Sequence, residues 1–196
     1  HLRRQRQMCI RDRQNPEAST GLASITKIMT SYIVADYLKQ GFLNIKDSTT
    51  VSEKCWRMEG SRMFIQEGKK VLIEDLMRGM IIQSGNDAAC ALAEHIAGTQ
   101  EDFASLMNDY AQKMELKNTN FTNPTGLPNV NHYSTAEDIA KLSIVLINDF
   151  PDEYSIYSEK EFTYNDIRQL NRNSLLWQDD SIDGIKTGHT LSLIHI

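Results

Sequence analysis

The middle of the chain repeats apolar residues at helical spacing in one segment after another, and this pattern constrains the fold most. Ile25, Ile28, Met29, Tyr32 and Ile33 begin the first such series. The spacing predicts helices from Ser24 to Gly41, over 73–82, 87–97 and 101–114, and from Thr135 to Pro151. The Thr135 hydroxyl is expected to cap the last of them by accepting from the Asp138 backbone N–H.

Strand patterns are fewer and shorter. The sequence predicts a strand at 49–51, a hairpin of 63–65 with 70–72, and late strands at 161–164 and 184–187. Helices therefore dominate the middle of the chain, and the strands are too few for a complete sheet. These observations favour an α/β (α+β) domain with a helical region and an incomplete sheet.

Composition excludes several function classes. The 196 residues carry a net charge of −5, which speaks against a general nucleic-acid binder. The apolar runs are shorter than the roughly 20 residues of a membrane-spanning helix. Cys9, Cys55 and Cys90 form no CxxC pair and no Cys/His cluster, so we expect no zinc and no dense disulfide framework. We also expect no other metal and no cofactor. Cys90 is interpreted as a small buried thiol, and Cys55 shows no sign of reactivity.

The two ends differ from the rest of the sequence. Residues 1–14 hold five arginines against one aspartate, without the apolar stretch of a secretory signal. The end sequences HLRRQRQMCIRDR and LSLIHI resemble translated adapter sequence. We therefore interpret 1–14 as a foreign or disordered tail, 191–196 as a foreign tail, and 15–190 as part of one catalytic domain.

The first motif that carries chemistry is Ser24-Ile25-Thr26-Lys27 at a predicted helix start. Residues i and i+3 share a helix face, so the hydroxyl and the amine meet one turn apart. A serine hydroxyl needs a base, and a lysine of lowered pKa can supply one. About one S-x-x-K is expected by chance in such a chain, so this motif alone fits an ordinary capped helix equally well.

A second motif, Ser84-Gly85-Asn86, falls in a turn between two apolar helices. A second hydroxyl there can relay a proton, and the Asn86 amide can bind both a substrate carbonyl and a lysine. Serine, glycine and asparagine are also common in plain turns. The turn is therefore weak evidence by itself.

The third motif, Lys186-Thr187-Gly188, lies on a predicted strand. Its glycine allows a substrate backbone to lie against the strand, and the threonine hydroxyl and lysine charge suit a carboxylate. The three motifs each occur once, in the order nucleophile, relay and strand. That order is the signature of the penicillin-recognising serine enzymes.

The likeness extends well beyond the motifs. Residues 20–190 resemble the low-molecular-mass penicillin-binding proteins of the type 5/6 group, the D-alanyl-D-alanine carboxypeptidases of Gram-negative bacteria. Stretches that carry it include ASITKIMTSYIVADYL, GMIIQSGNDAACALAEHIAG, LKNTNFTNPTGL and DGIKTGHT. The resemblance implies a β-lactamase/transpeptidase-like domain, with a five-stranded sheet in the family and the active site between sheet and helices.

The resemblance also implies roles for individual residues. Ser24 matches the acylated nucleophile, Lys27 its base, and Ser84 the relay. The substrate-binding positions are matched by Asn86, Lys186, Thr187, Gly188, His189 and Arg172, the His189 and Ser24 backbone N–H groups forming the oxyanion hole and the His189 ring being structural. Asp149 matches an acidic residue that steadies active-site loops.

The implied partners are a peptidoglycan stem peptide ending in D-Ala-D-Ala, and β-lactams as covalent inhibitors. The implied place of action is the periplasmic face of the inner membrane, reached through an export signal and a C-terminal anchor that this sequence does not contain. The family's strands before the serine motif and everything after Thr190 are also missing. We therefore expect the chain by itself to be unstable or inactive.

Three alternatives remain open. A D,D-endopeptidase or a β-lactamase would use the same three motifs, and a non-catalytic wall-binding fragment would keep the fold. Glu161 begins an E-x-x-x-N pattern typical of class A β-lactamases, but it lies too close to Lys186 and is interpreted as a strand-edge charge. His95 and His132 lack metal spacing and are interpreted as ordinary helix and loop residues.

Overall fold

The computed structural model describes residues 16–189, and helices form most of its ordered structure. A 3-10 turn, Ala23–Thr26, leads into α1, Lys27–Lys39. The remaining helices are α2, Glu53–Trp56; α3, Ile73–Ile81; α4, Asn86–Ala97; α5, Gln100–Lys113; α6, Ala136–Asp149; and α7, Pro151–Tyr154, followed by 3-10 turns at Ser155–Ser158 and Ser174–Trp177. The five predicted helices are thus confirmed, each within a few residues of its expected ends.

Two helices lie at the centre of the core. The first nine residues of α1 and the first eight of α4 are all buried, so neither helix shows a polar outer face there. Helix α4 packs against α3 on one side and α5 on the other. The starts of α1 and α4 are therefore buried on all sides. Each of these starts carries residues of a predicted motif.

Local capping sets several helix boundaries as expected. The Thr135 hydroxyl accepts from the Asp138 N–H at 3.2 Å and begins α6. Thr99 does the same for Asp102 at 3.0 Å and begins α5. Each cap satisfies one backbone donor that the first helical turn leaves open.

The strands form two separate two-stranded antiparallel sheets. Strand β1, Ser48–Thr50, pairs with β2, Lys70–Leu72, and β3, Glu161–Tyr164, pairs with β4, Ile167–Leu170. The predicted pairing of 63–65 with 70–72 is therefore wrong. The Asp87 carboxylate accepts from the N–H groups of Met63, Phe64 and Ile65, so those donors are not free to join a strand ladder.

One further strand prediction is wrong, and one observed strand was not predicted. Segment 184–187 pairs with no strand among the described residues. Strand β4 was not foreseen, because Ile167–Leu170 contains only two apolar residues and lacks the usual β-branched run. The small sheets nevertheless agree with the expected incomplete sheet.

The predicted free thiol at Cys90 is wrong. Cys90 is no free thiol: it forms a disulfide with Cys55, and both side chains are fully buried. The bond joins α2 to α4 across 35 positions of sequence. Such a pair depends on tertiary contact between two helices, which spacing alone does not reveal.

Within residues 16–189, no helix combines the length and the apolar character needed to cross a bilayer.

Candidate active site

The first motif places a hydroxyl beside an amine, as its spacing predicts. Ser24 lies in the 3-10 turn and Lys27 is the first residue of α1. The Lys27 Nζ lies 3.1 Å from the Ser24 Oγ. Ala23 adopts a left-handed backbone conformation with φ of 47°, which is costly for a residue with a side chain.

Lys27 is completely buried, and its amine has two further partners. Its Nζ donates to the Asn86 Oδ1 and to the Thr125 carbonyl oxygen, both at 2.7 Å. Burial, and next the nearby Lys186 charge, hold the pKa of Lys27 well below its usual value, against an opposing effect of Asp87. A neutral amine has two N–H groups for Asn86 and Thr125, which leaves its lone pair for the Ser24 hydroxyl.

The second motif forms the turn between α3 and α4. Ser84 is buried in a left-handed conformation with φ of 65°, and its Oγ has no hydrogen-bond partner among the described residues. Asn86 is fixed at its other end, since its Nδ2 donates to the Glu59 carbonyl at 2.6 Å. A buried hydroxyl without a partner is unusual and fits a group that waits for a ligand.

The third motif lies against the nucleophile turn. Lys186 is buried, and burial, with a smaller contribution from the Arg172 charge, lowers its pKa to about 8. A Cβ on Gly188 would stand 2.9 Å from the Ile25 Cγ1 and 3.0 Å from the Leu22 oxygen. Glycine is therefore required for this close approach.

These groups surround one cavity of about 850 Å³. Its walls include seven of the nine predicted site residues, namely Ser24, Ser84, Asn86, Arg172, Thr187, Gly188 and His189. The other two, Lys27 and Lys186, are buried and do not line it. Arg172 follows β4 and is held beside the second motif, where its backbone N–H donates to the Ile82 carbonyl at 3.2 Å.

Several residues of this cavity have no role that was predicted from the sequence. Seven more line it: Ala23, Gly60, Ser61, Thr125, Gly126, Leu127 and Pro128. The Thr125 carbonyl binds Lys27, yet a backbone oxygen carries no side-chain signal in a sequence. The only available signal is the density of turn-forming residues in FTNPTGL, which predicts an ordered loop but not its contact.

Two acidic residues lie away from the cavity. Glu161 pairs with Arg168 across the β3–β4 hairpin, as expected for a strand-edge charge. Asp149 ends α6 and accepts a hydrogen bond from the Tyr32 hydroxyl at 2.8 Å, so it contacts α1. Neither carboxylate lines the cavity that holds the motifs.

One group in the described part of the chain has the composition of a metal site. Cys55, Cys90 and Glu94 place their ligand atoms within 4.8 Å of one another. The disulfide consumes both sulfur atoms, and only thiolates bind metal well. The donor set therefore does not fit a metal in this state.

A hydroxyl facing a desolvated amine can be deprotonated and can attack a carbonyl carbon. With the surrounding fold, that pair defines the class of penicillin-recognising serine enzymes. The family model described as D-alanyl-D-alanine carboxypeptidase matches residues 10–193, and the chain belongs to this family.

Individual proteins agree with this assignment. The chain is 49% identical over 180 residues to the D-alanyl-D-alanine carboxypeptidase DacA of Haemophilus influenzae, covering 90% of this chain and 46% of that protein. Penicillin-binding protein 5 from H. influenzae superposes with a TM-score of 0.88 at 49% identity, over 91% of this chain and 53% of that one. Penicillin-binding protein D2 of Listeria monocytogenes in its ampicillin-bound form gives 0.81 at 27% identity, over 91% and 73%. The chain spans about half the length of the curated relatives it matches.

Proposed function

We propose that the protein to which this chain belongs is a serine-type D-alanyl-D-alanine carboxypeptidase, acting through an acyl-enzyme on Ser24. The observation that carries the proposal is the buried Lys27 amine, 3.1 Å from the Ser24 hydroxyl. Its lowered pKa favours the neutral form, which can accept a proton. The carboxypeptidase names of its relatives support the choice of reaction.

In the first step, the Ser24 oxygen attacks the carbonyl carbon between two D-alanines while Lys27 takes the hydroxyl proton. Backbone N–H groups of Ser24 and His189 stabilise the oxyanion. The C–N bond then breaks, and Ser84 relays the proton to the nitrogen of the departing D-alanine. The unpartnered Ser84 hydroxyl supports this role among the described residues.

In the second step, water attacks the ester carbonyl of the acyl-enzyme. Lys27 accepts a proton from that water and returns one to Ser24 as the C–O bond breaks. The shortened peptide leaves with a new carboxyl group. A β-lactam is opened by the same attack and stays on Ser24 as an ester, which makes it a covalent inhibitor.

The positive charges of Arg172 and Lys186 support recognition of a terminal carboxylate. Arg172 lines the cavity, and its charge reaches Lys186 strongly enough to lower the pKa of that amine. The Thr187 hydroxyl and the Gly188 backbone complete this wall, and the Asn86 amide binds a substrate carbonyl. A free carboxylate is what distinguishes a carboxypeptidase substrate from an internal cross-link.

The remaining assignments follow from the same proposal. We assign residues 15–190 to the catalytic domain and treat 1–14 and 191–196, which lie outside the described residues, as tails. The protein acts on stem peptides at the periplasmic face of the inner membrane, to which a C-terminal anchor in the longer protein attaches it. Its relatives are bacterial penicillin-binding proteins, which supports a cell-wall location.

The decisive experiment is labelling with a fluorescent penicillin. We expect covalent label on the intact wild-type protein to which this chain belongs, loss of label in Ser24→Ala, and retention in Ser105→Ala, which removes an exposed hydroxyl on α5. Absence of label on folded protein would favour the non-catalytic wall-binding alternative. Release of free D-alanine, weighed against cleavage of cross-linked peptides and turnover of penicillin, separates the carboxypeptidase from the endopeptidase and the β-lactamase.

A further inference from the structure

A buried histidine lies one layer behind the active site, on the loop between α5 and α6. His132 is only 4% exposed, and its ring packs edge-on against Phe121 with centroids 5.8 Å apart. It lies outside the set of residues that line the cavity. The proposed reaction therefore gives this side chain no direct part.

Hydrogen bonds define the protonation of the His132 ring. Its Nδ1 accepts from the Thr122 backbone N–H at 3.0 Å, so this nitrogen carries no proton. The proton of a neutral ring must then lie on Nε2, which donates to the Thr26 Oγ1 at 2.7 Å. Burial lowers the pKa of His132 to about 4, which keeps the ring neutral at physiological pH.

The two hydrogen-bond partners of His132, Thr26 and Thr122, lie on the two segments that surround the Lys27 amine. Thr26 directly precedes Lys27 and is fully buried. Thr122 begins the turn that presents the Thr125 carbonyl to the Lys27 amine. The ring thus joins the nucleophile turn to the loop that supplies one of its hydrogen-bond acceptors.

The rest of the loop transmits this fixed position to Thr125. The Asn123 Oδ1 accepts from the N–H groups of Thr125, at 3.1 Å, and Gly126, at 2.7 Å, so 123–126 forms one rigid turn. The Thr30 hydroxyl donates to the Pro124 carbonyl at 2.7 Å and ties the same turn to α1. A shift at Thr122 would therefore move the Thr125 oxygen.

We propose that His132 is a positioning residue for the proposed acylation: by bridging Thr26 and Thr122, it holds the Thr125 carbonyl where it directs the Lys27 lone pair at Ser24. The inference rests on the proposed function for its catalytic consequence. The geometric consequence, a change at Lys27, can be measured without any reaction.

The test compares three substitutions at the bridge. His132→Leu removes both hydrogen bonds, Thr26→Val removes one with little change of shape, and His132→Gln keeps one donor and one acceptor. His95→Leu, on the exposed side of α4, controls for loss of a histidine. Should His132→Leu fail to fold, Thr26→Val gives the same readouts.

The first readout is the pKa of Lys27, followed by NMR titration of the intact protein labelled with 13C at lysine Cε. Loss of an acceptor for the ammonium form should lower this pKa by about one pH unit in His132→Leu and Thr26→Val. His132→Gln and His95→Leu should leave it in place. An unchanged Lys27 in both disruptive variants overturns the proposal, whether or not the protein reacts with penicillin.

The second readout is the rate constant of acylation by a fluorescent penicillin, normalised to folded protein. We expect a loss of about tenfold or more in His132→Leu, an acid limb of the pH profile moved to lower pH, and recovery in His132→Gln. A merely structural histidine would lower the folded fraction and leave both quantities unchanged. Failure of the wild type to acylate would instead contradict the proposed function, with the Lys27 titration still deciding the role of His132.

Discussion

The Oδ1 of Asn86 lies 2.7 Å from the Nζ of Lys27, so the second sequence motif binds the base of the first. We predict that Asn86→Asp raises the pKa of Lys27, because a carboxylate favours the ammonium form. The reactive neutral fraction of Lys27, and with it the acylation rate, should fall on the acid side of the pH profile. The acid limb of the pH–rate profile should move to higher pH, as followed with a fluorescent penicillin.

Asn148→Asp provides the matched control, since it adds the same charge at an exposed position near the end of α6. Its profile should coincide with that of the wild type. An acid limb that stays in place in Asn86→Asp would contradict a direct contact between this amide and the base.

Gly126 carries a steric prediction. Its φ is +84°, and a Cβ there would stand 1.7 Å from the Ala23 oxygen and 2.8 Å from the Thr26 Oγ1. Gly126→Ala should therefore displace the nucleophile turn, lower the free energy of unfolding by about 3 kcal/mol or more, and abolish penicillin labelling. Chemical denaturation and gel labelling measure the two effects.

Gly41→Ala isolates the backbone contribution. Gly41 has a similar φ of +75°, but nothing lies within 4 Å of its added Cβ. This variant should lose only about 1–2 kcal/mol and should keep its labelling. Equal behaviour of the two alanine variants would show that the close approach to Ala23 has no consequence.

The disulfide between Cys55 and Cys90 predicts a stability that depends on redox conditions. It closes a loop of 35 positions, for which chain entropy gives about 3 to 4 kcal/mol of stabilisation. Unfolding and refolding in reductant should lower the melting temperature, and Cys55→Ala/Cys90→Ala should melt at that lower value with or without reductant. If the wild type melts at the same temperature with and without reductant, the disulfide does not form.

Patterns of short sequence range predicted the helices and the meeting of Ser24 with Lys27. Helix α5 was predicted from its apolar periodicity, and the Thr135 cap from a hydroxyl three residues before a free N–H group. Both could be predicted because their hydrogen bonds join residues only three or four positions apart. That all three motifs lie close together was predicted from the family resemblance. Spacing alone could not have placed Lys186 beside Lys27.

Contacts of long sequence range could not be predicted in this way. The Asp87 carboxylate accepts hydrogen bonds from the backbone of 63–65, so this segment does not pair with β2. The residues around Asp87 in the sequence give no indication of this contact. His132 meets Thr26 across 106 positions, and Lys27 meets the Thr125 carbonyl across 98. A backbone acceptor or a neutral ring leaves no charge pattern from which such a partner could be inferred.

The burial of His132 also predicts how stability depends on pH. Its pKa is lowered from 6.5 to about 4 in the folded chain, so the unfolded chain binds more protons between these values. This contribution to stability is present above about pH 6.5 and is lost as the pH falls toward 4, by about 3 kcal/mol in total.

Urea unfolding of the wild type and His132→Gln across this range isolates the contribution of His132, because the other titrating groups are common to both proteins. The difference between the two free energies should shrink steadily with acidification, whereas His95→Gln, changed at an exposed ring, should keep the wild-type slope. Parallel curves for wild type and His132→Gln would mean that folding leaves the pKa of His132 unchanged, and would contradict the burial of a neutral ring between Thr26 and Thr122.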